Sequence, residues 1–310
     1  MKKQRTVLVV ILIVVVACVA GIGIYNERMA PFRTIVVRVD DDRELRMDYF
    51  VKRMNASGMQ SFQLLNTLFR EEVILKVAPH SPYNIHPSDD DVEAFARSLA
   101  EKDGEPITEA EYQEWVRQQL NNSGFSEAEF LDMMRRNLTT QLLGEYLGAQ
   151  VETVAEQVLL QLIVDPNSEK VKSIAKRLDA GESFTDLARE FNPSKLKDSG
   201  GEWGWFPRAG LPLVMVNLAF DQLDVGEHGG PVQLPQPGGK PVFAIVRVAE
   251  RAAAREISSP MLEEIRARAL DSWFAEERKL HKVNFHGFNN GYDTETDAWV
   301  QWQVHRKRRH

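Results

Sequence analysis

The stretch SGGEWGWFPRAG, residues 199–210, combines closely spaced glycines with two tryptophans, a phenylalanine and a proline. Helices disfavour glycine at this density, and strand interiors seldom carry it. Gly200 and Gly201 let the chain turn sharply before a short strand. Trp205 and Phe206 supply apolar surface that we expect to pack in a core. The stretch is therefore interpreted as the frame of a folded domain.

The chain before this stretch is predicted to be largely helical. Residues 34–39 are β-branched and predict a strand, whereas apolar residues recur at helical spacing from 44 to 156. Two helix starts carry a capping box, Thr108 with Glu111 and Ser126 with Glu129. An all-helical module over this part of the chain is the expectation.

The pattern changes near residue 158. Strands and short helices then follow in the order β-α-α-loop-α-β-β over about 95 residues, which is typical of a compact α+β domain. After it, residues 258–283 predict one long helix with Pro260 in its first turn. Its apolar residues form one stripe, which should pack back on the N-terminal helices: Ile265, Ala269, Trp273 and Leu280.

Residues 6–25 contain no charged side chain. Twenty helical residues span roughly 30 Å, the hydrocarbon thickness of a bilayer. Lys2, Lys3 and Arg5 precede the run, which favours a cytoplasmic N-terminus and an exported remainder. Three alternatives stay open: a signal anchor in the cell membrane, a lipoprotein processed at Cys18, and a cleaved signal peptide.

Charge and cysteine content narrow the possible functions. The net charge of −7 argues against a nucleic-acid-binding protein, which usually has a basic face. Cys18 is the only cysteine, so the rest of the chain has neither a disulfide nor a thiolate metal ligand. The sequence predicts no cofactor and no metal site. The basic ending HRKRRH either contacts lipid head groups or is a solvated end.

Five segments occur in an order that resembles the parvulin family of peptidyl-prolyl isomerases: LIV, AGESFTDLAREF, GGEWGWFPRAG, LAFDQLDVGEHGGPVQ and FAIVRV. The similarity covers about residues 156–251. Helices on both sides of this region resemble the SurA-type and PrsA-type exported foldases, in which a parvulin domain is inserted into a helical chaperone module.

The resemblance implies an α+β chain with four parts. These are an N-terminal transmembrane anchor or signal (1–30), an all-helical chaperone module (31–155), an inserted parvulin-like β-α-α-α-β-β domain (156–251), and a C-terminal helix that completes the module and ends in the basic tail (252–310).

The resemblance also implies where a site would lie. The two histidine positions of the family fall on Gln161 and Ala244, and its Cys or Asp position falls near Asn192. The apolar pocket for a proline ring falls on Leu211, Met215 and Phe220. Because Ala244 offers no polar side-chain group, the expected domain binds proline or apolar side chains with weakened or lost catalysis.

The expected function is that of a membrane-anchored, extracytoplasmic foldase or chaperone. Its partners would be unfolded or partly folded exported proteins and their proline-containing segments, together with the membrane through residues 6–25, and not nucleic acid. The alternative is a non-catalytic scaffold subunit of a membrane complex that uses the same fold.

Overall fold

The computed structural model describes residues 29–101, 105–234 and 241–307. The apolar run 6–25 lies outside these ranges, so the predicted anchor remains a prediction. Within the described ranges, no helix is both long and apolar enough to cross a membrane.

The elements are numbered in chain order. The strands are β1 (Ile35–Val39), β2 (Arg43–Arg46), β3 (Val154–Asp165), β4 (Glu202–Pro207), β5 (His228–Leu234), β6 (Val242–Glu256) and β7 (Val283–Phe285). The helices are α1 (Met47–Ser57), α2 (Ser61–Val77), α3 (Asp89–Ala100), α4 (Glu109–Ser123), α5 (Glu127–Ala149), α6 (Ser168–Asp179), α7 (Phe184–Phe191), α8 (Ser194–Asp198), α9 (Leu213–Val216), α10 (Ser259–Ala267), α11 (Ala269–Glu277) and α12 (Thr294–Lys307).

The chain divides into two compact units. The first, called the helical unit, contains the described residues up to Tyr146 and those from Leu270 onwards. The second, called the sheet unit, extends from Leu147 to Ala269. The part of the chain after the sheet unit therefore returns to the first unit.

A small sheet in the helical unit shows that the expectation of an all-helical module is wrong. Its strand order is β2-β1-β7, and both pairings are antiparallel. Residues 44–46, expected to belong to a helix, lie in β2 instead, and α1 begins only at Met47. The strand β7 comes from the far end of the chain, with Phe285 opposite Val37.

Two apolar clusters hold the helical unit together. One joins the small sheet to α1, α2 and α12 through fully buried residues such as Phe50, Leu68 and Val300. The other joins α3, α4 and α5 around Phe130. The predicted capping box at the start of α4 is confirmed, since the Thr108 hydroxyl and the Glu111 carboxylate each bond the other residue's backbone N–H.

The sheet unit is built on four antiparallel strands in the order β4-β3-β6-β5. Successive side chains of a strand point to opposite faces, so β3 contributes to two cores. Ile163 packs with α6 and α7 on one face, and Leu160 and Leu162 pack on the other. The expected β-α-α-α-β-β order lacked the helix α8, and it did not count the edge strand β4, although a short strand was expected after Gly201.

The single helix expected over 258–283 is also wrong. The chain forms α10, leaves helical geometry at Arg268, and then forms α11 followed by a 3₁₀ turn over Arg278–Leu280. The expected apolar stripe is divided accordingly. Ile265 is buried in the sheet unit, Trp273 packs on the core of the helical unit, and Leu280 is 76% exposed.

Candidate functional site

One face of the sheet in the sheet unit is apolar, and we call it the apolar face. Its central side chains come from alternate positions of β3 and β6, and the chain from 206 to 220 packs over them. The core residues are Val158, Leu160, Leu162, Phe206, Leu211, Met215, Leu218, Ala219, Phe220, Val246 and Val248.

The three predicted pocket residues meet on this face. Leu211, Met215 and Phe220 are all buried in one cluster, and Met215 is fully buried. Met215 lies on α9 and Phe220 on a π-helical turn, Asn217–Gln222, that continues it, whereas Leu211 precedes α9. Their side chains form the interior of the unit, whereas two neighbours on α9 point outwards: Leu213 is 74% exposed and Val214 is 42% exposed.

The ring of Phe220 is bordered by two guanidinium groups. The guanidinium carbon of Arg208 lies 4.5 Å from the ring centroid, and that of Arg251 lies 5.6 Å from it. Arg251 also donates hydrogen bonds of 3.1 Å to the carbonyls of Ala219 and Leu223. These bonds satisfy carbonyls that a helix end leaves without intrahelical partners, so Arg251 fixes the π-helical turn in place. No motif in the sequence signals this role.

Ala244 lies near the start of β6, on the same side of the strand as Val246 and Val248, and is completely buried. Its partners across the neighbouring strands are Val164 on β3 and Val232 on β5. Close packing extends to the backbone, because a side chain at Gly230 would meet the Ala244 carbonyl oxygen at 2.7 Å. The position that the resemblance assigns to a histidine is therefore surrounded by apolar groups.

Gln161 lies on the opposite face of the sheet from Ala244. Its side-chain carbonyl accepts a 3.0 Å hydrogen bond from Arg247, whose guanidinium lies 6.0 Å from the ring of Phe184 in the α6–α7 core. In the strand register Gln161 pairs with Arg247, whereas Ala244 pairs with Val164. The structure thus does not bring the two histidine positions of the family together.

Asn192 has a clear structural task. Its side chain is buried and makes the two hydrogen bonds that the backbone of a neighbouring strand would make. It accepts from the Val164 backbone N–H at 2.8 Å and donates to the Leu162 carbonyl at 2.7 Å. The strand β4 begins here, with the Gly201 carbonyl accepting from the Leu162 N–H at 2.8 Å. Asn192 therefore continues the ladder along β3 beyond the start of β4.

The glycine-aromatic stretch forms the start of β4. Gly200 and Gly201 have backbone φ angles of 66° and 90°, which residues with a side chain rarely adopt. A Cβ atom on Gly201 would also lie only 2.8 Å from the Leu162 carbonyl oxygen. Phe206 is buried, as expected. Trp205 is only half-buried and lies under the guanidinium of Arg255 at 4.4 Å, so its expected place in the core is wrong.

A polar cleft of about 590 Å³ adjoins Trp205. It is lined by Gln157, Trp205, Arg255, Glu256, Ile257, Ser258 and Ser259. Gln157 forms its buried side, and its amide donates to the carbonyls of Arg255 and Glu256 at 2.8 Å and 3.1 Å. The sequence contained no signal for this cleft.

Asp165, on the α6–α7 side of the sheet, is committed to an ion pair and accepts a 2.6 Å hydrogen bond from Lys170. Burial opposes the charge on this carboxylate, but the interactions with Lys170 and the bond from the Asn167 backbone together outweigh it and lower the pKa of Asp165. Asp165 is thus an ionised partner of Lys170. In the described part of the chain, no group of three or more side chains is placed to hold a metal ion.

The family model of the PPIC-type PPIase (rotamase) domain matches residues 165–250. These residues contain β4, β5, most of β6 and the chain from 206 to 220 that packs on the apolar face, so the sheet unit contains a domain of the parvulin type. Parts of the chain are also similar in sequence to a bacterial chaperone and to a bacterial foldase.

Two relatives illustrate this similarity. The chaperone SurA of Methylobacillus flagellatus is 31% identical over 121 residues, which is 38% of this chain and 27% of SurA. The foldase protein PrsA 2 of Listeria monocytogenes is 24% identical over 200 residues, 58% of this chain and 68% of PrsA 2. The match thus spans about a quarter of that SurA.

Among solved structures, PrsA from Bacillus anthracis is 18% identical, with a TM-score of 0.38 over 79% of this chain and 97% of the PrsA chain.

Proposed function

We propose that this protein is an exported, membrane-anchored foldase of the parvulin type that binds unfolded or proline-containing segments of client proteins and has weak or no isomerase activity. The parvulin-type domain and the similarity to SurA and PrsA support the general class. Lys2, Lys3 and Arg5, placed before the apolar run 6–25, support an anchor with the remainder outside the cytoplasm.

The proposal that catalysis is weak rests on the environment of Ala244. Isomerisation has to overcome amide resonance, a barrier of about 18–20 kcal/mol. A catalyst lowers it with polar groups that favour the twisted amide over the planar one. Ala244 is completely buried between Val164 and Val232, so the apolar face has no polar side chain at this point.

The surface for a client is expected on the outer side of α9. Leu213 and Val214 are adjacent, exposed and apolar, and they lie beside the buried pocket residue Met215. Burying one such side chain on binding contributes about 1.5–3 kcal/mol. An unfolded segment that covers both would therefore gain binding energy without entering the packed core.

A binding experiment on the full-length chain in lipid nanodiscs tests this function. A fluorescein-labelled, proline-containing peptide is titrated and its anisotropy measured. We expect Leu213→Ser/Val214→Ser to weaken binding about 10-fold or more, because 1.4 kcal/mol corresponds to a factor of ten. The melting temperature should change little, since both side chains are exposed.

Met215→Ala is the matched control on the same helix. Because Met215 is fully buried, its truncation should cost about 2–5 kcal/mol of stability. Its effect on peptide affinity, measured where the variant is still folded, should be small. No detectable peptide binding by the wild-type chain would contradict the proposed function.

The membrane topology is tested separately. A reporter that is active only in the cytoplasm, fused after His310, should be inactive if the bulk of the chain is exported. Cys18→Ala then separates the two routes of attachment. It abolishes acyl labelling and alters the processed size of a lipoprotein, and it leaves a signal anchor unchanged.

A further inference from the structure

The polar cleft beside Trp205 lies on the opposite side of the sheet from α9. The next residue of β4, Phe206, is buried on the apolar face, so Trp205 points to the other face. Met215 of α9 packs on the apolar face. The cleft is therefore separate from the client surface proposed on α9, and the two can be tested independently.

The inner wall of the cleft presents a hydrogen-bond acceptor without a partner. Gln157 lines the cleft and is only 2% exposed. Its amide nitrogen is occupied, because it donates to the carbonyls of Arg255 and Glu256. Among the described residues, no donor bonds the Oε1 atom of Gln157. A buried acceptor that lacks a partner is unfavourable, so this atom favours a ligand that donates a hydrogen bond.

A guanidinium group over the same cleft supplies donors. The guanidinium carbon of Arg255 lies 4.4 Å from the centroid of the Trp205 ring, which restricts the orientation of the group. No carboxylate in the described part of the chain pairs with Arg255. Its N–H groups lie in the guanidinium plane, so contact with the ring leaves them available to an acceptor.

The start of α10 adds further donors at the edge of the cleft. Ser258 is the N-cap residue of this helix, but its hydroxyl makes no capping bond. The hydroxyls of Ser258 and Ser259, which both line the cleft, bond no other residue that the structure describes. The first N–H groups of a helix have no intrahelical acceptor. This end of the cleft therefore also favours a ligand that accepts hydrogen bonds.

The charges of the cleft identify the class of ligand. Glu256 is exposed, lines the cleft and has no ion-pair partner among the described residues, so it and Arg255 give the lining one charge of each sign. An anion would meet Glu256, and a cation would meet Arg255. An amide group is neutral and carries a donor and an acceptor, which matches Gln157 Oε1 and the guanidinium of Arg255. The main chain of an extended peptide presents such groups at every residue.

We propose that this cleft binds the main chain of an extended peptide segment. The segment donates an N–H to Gln157 Oε1 and accepts hydrogen bonds from Arg255 and the start of α10. The cleft would be a second contact for an unfolded client, on the side of the sheet away from α9. The inference rests on the proposed foldase function, and the experiment separates the two.

The test places a photo-reactive residue, p-benzoylphenylalanine, in the full-length chain in lipid nanodiscs. It replaces Ser259 in the cleft or, as the matched control, Lys172, which is exposed on α6. The probe is a fluorescein-labelled, proline-containing peptide without Asn or Gln, so that its amide groups belong to the main chain. We expect several times more crosslinking at position 259 than at position 172. N-methylation of the peptide main chain removes its donors and should reduce the crosslinking at position 259.

Two changes in the chain locate the contact. Arg255→Met keeps an apolar stem beside Trp205 and removes the donors. It should raise the peptide concentration that half-saturates crosslinking at position 259 about 10-fold, because hydrogen bonds to charged groups are among the stronger ones. Arg189→Met, which removes an exposed arginine of α7, is the control and should leave this value unchanged. Crosslinking at position 259 should persist in Leu213→Ser/Val214→Ser, since α9 lies on the other side of the sheet.

Three results would overturn the proposal. Equal crosslinking at positions 259 and 172, with peptide anisotropy still dependent on Leu213 and Val214, rejects the cleft and leaves the proposed function intact. Crosslinking at position 259 that excess acetate or phosphate abolishes, and that N-methylation does not change, assigns the cleft to an anion. No peptide binding by either measurement rejects the cleft and the proposed function together.

Discussion

Gln161 and Ala244 lie on adjacent strands of one sheet but on opposite faces of it. Gln161 is bonded to Arg247 on the α6–α7 side, and Ala244 is buried on the apolar face. A polar group at position 161 cannot assist one at position 244, since the sheet separates them. We therefore expect Gln161→His combined with Ala244→His to behave as two independent changes, without recovering a catalytic pair.

The role of Gln161 can be tested alone. Gln161→Ala removes the acceptor for Arg247 and should lower the stability of the sheet unit by about 1 kcal/mol, because hydrogen bonds to charged groups contribute to folding. Peptide affinity should stay within about twofold of wild type. Chemical denaturation and the anisotropy titration measure the two effects. Gln161→Glu is the control, because it retains a hydrogen-bond acceptor for Arg247. A large loss of peptide affinity in Gln161→Ala would instead place this residue in the binding site.

Arg53 and Glu71 form a buried, two-pronged ion pair between α1 and α2, with N–O distances of 2.8 Å and 2.6 Å. Glu71→Gln should destabilise the helical unit by about 3–5 kcal/mol, because the guanidinium then lacks its counter-charge in the core. The double change Arg53→Met/Glu71→Leu should recover most of that loss. Urea denaturation of all three proteins measures the differences.

The exposed pair of Arg117 and Glu114 is the control for this prediction. Glu114→Gln should change stability by less than about 1 kcal/mol, as is usual for surface pairs. A comparably small effect of Glu71→Gln would show that the buried pair does not hold the two helices together.

Asp40 connects three parts of the helical unit. Its carboxylate accepts hydrogen bonds from Lys76 Nζ at 2.6 Å and from the Lys282 backbone N–H at 2.9 Å. The same carboxylate lies 2.9 Å from His281 Nδ1. The bond from Lys76, followed by that from His281, holds the pKa of Asp40 well below its ordinary value. Its stabilising contribution is thus fully present above about pH 4, the unfolded pKa, and is lost as the pH falls towards the folded pKa.

Asp40→Asn should consequently lower the melting temperature at pH 7, and the difference from wild type should shrink between pH 4 and pH 2. Thermal unfolding followed by circular dichroism at several pH values measures this trend. A difference that stays constant down to pH 2 would mean that the ionised form of Asp40 is not what stabilises the fold.

Local signals in the sequence predicted local structure well. The capping box of Thr108 and Glu111 needs only neighbouring residues, and the structure contains it. The strand β7 could not be found in this way, because its pairing with β1 joins residues as far apart as Val39 and Val283. The interruption of the expected long helix at Arg268 coincides with the division between the two units.

The candidate site was also predictable only in part, because its geometry depends on residues that are far apart in the sequence. The resemblance to the parvulin family assigned Leu211, Met215 and Phe220 to one apolar pocket, and in the structure they lie in one apolar cluster. Whether Gln161 faces that cluster depends on the register of β3 against β6, which includes an irregularity between Leu159 and Leu160. One residue of shift moves a side chain to the other face of a sheet, so a motif alone could not decide it.

The central claim, client binding on the outer side of α9 with little isomerisation, is tested most directly by the cis-trans exchange rate of a proline-containing peptide. Exchange is measured by two-dimensional NMR without a coupling protease, on the full-length chain at peptide concentrations that saturate binding. One positioned polar group is typically worth about 10²–10³ in rate, and Ala244 supplies none. We predict an exchange rate within about twofold of the free peptide. A kcat/KM in the ordinary enzyme range of about 10⁴–10⁸ M⁻¹s⁻¹ would contradict the account.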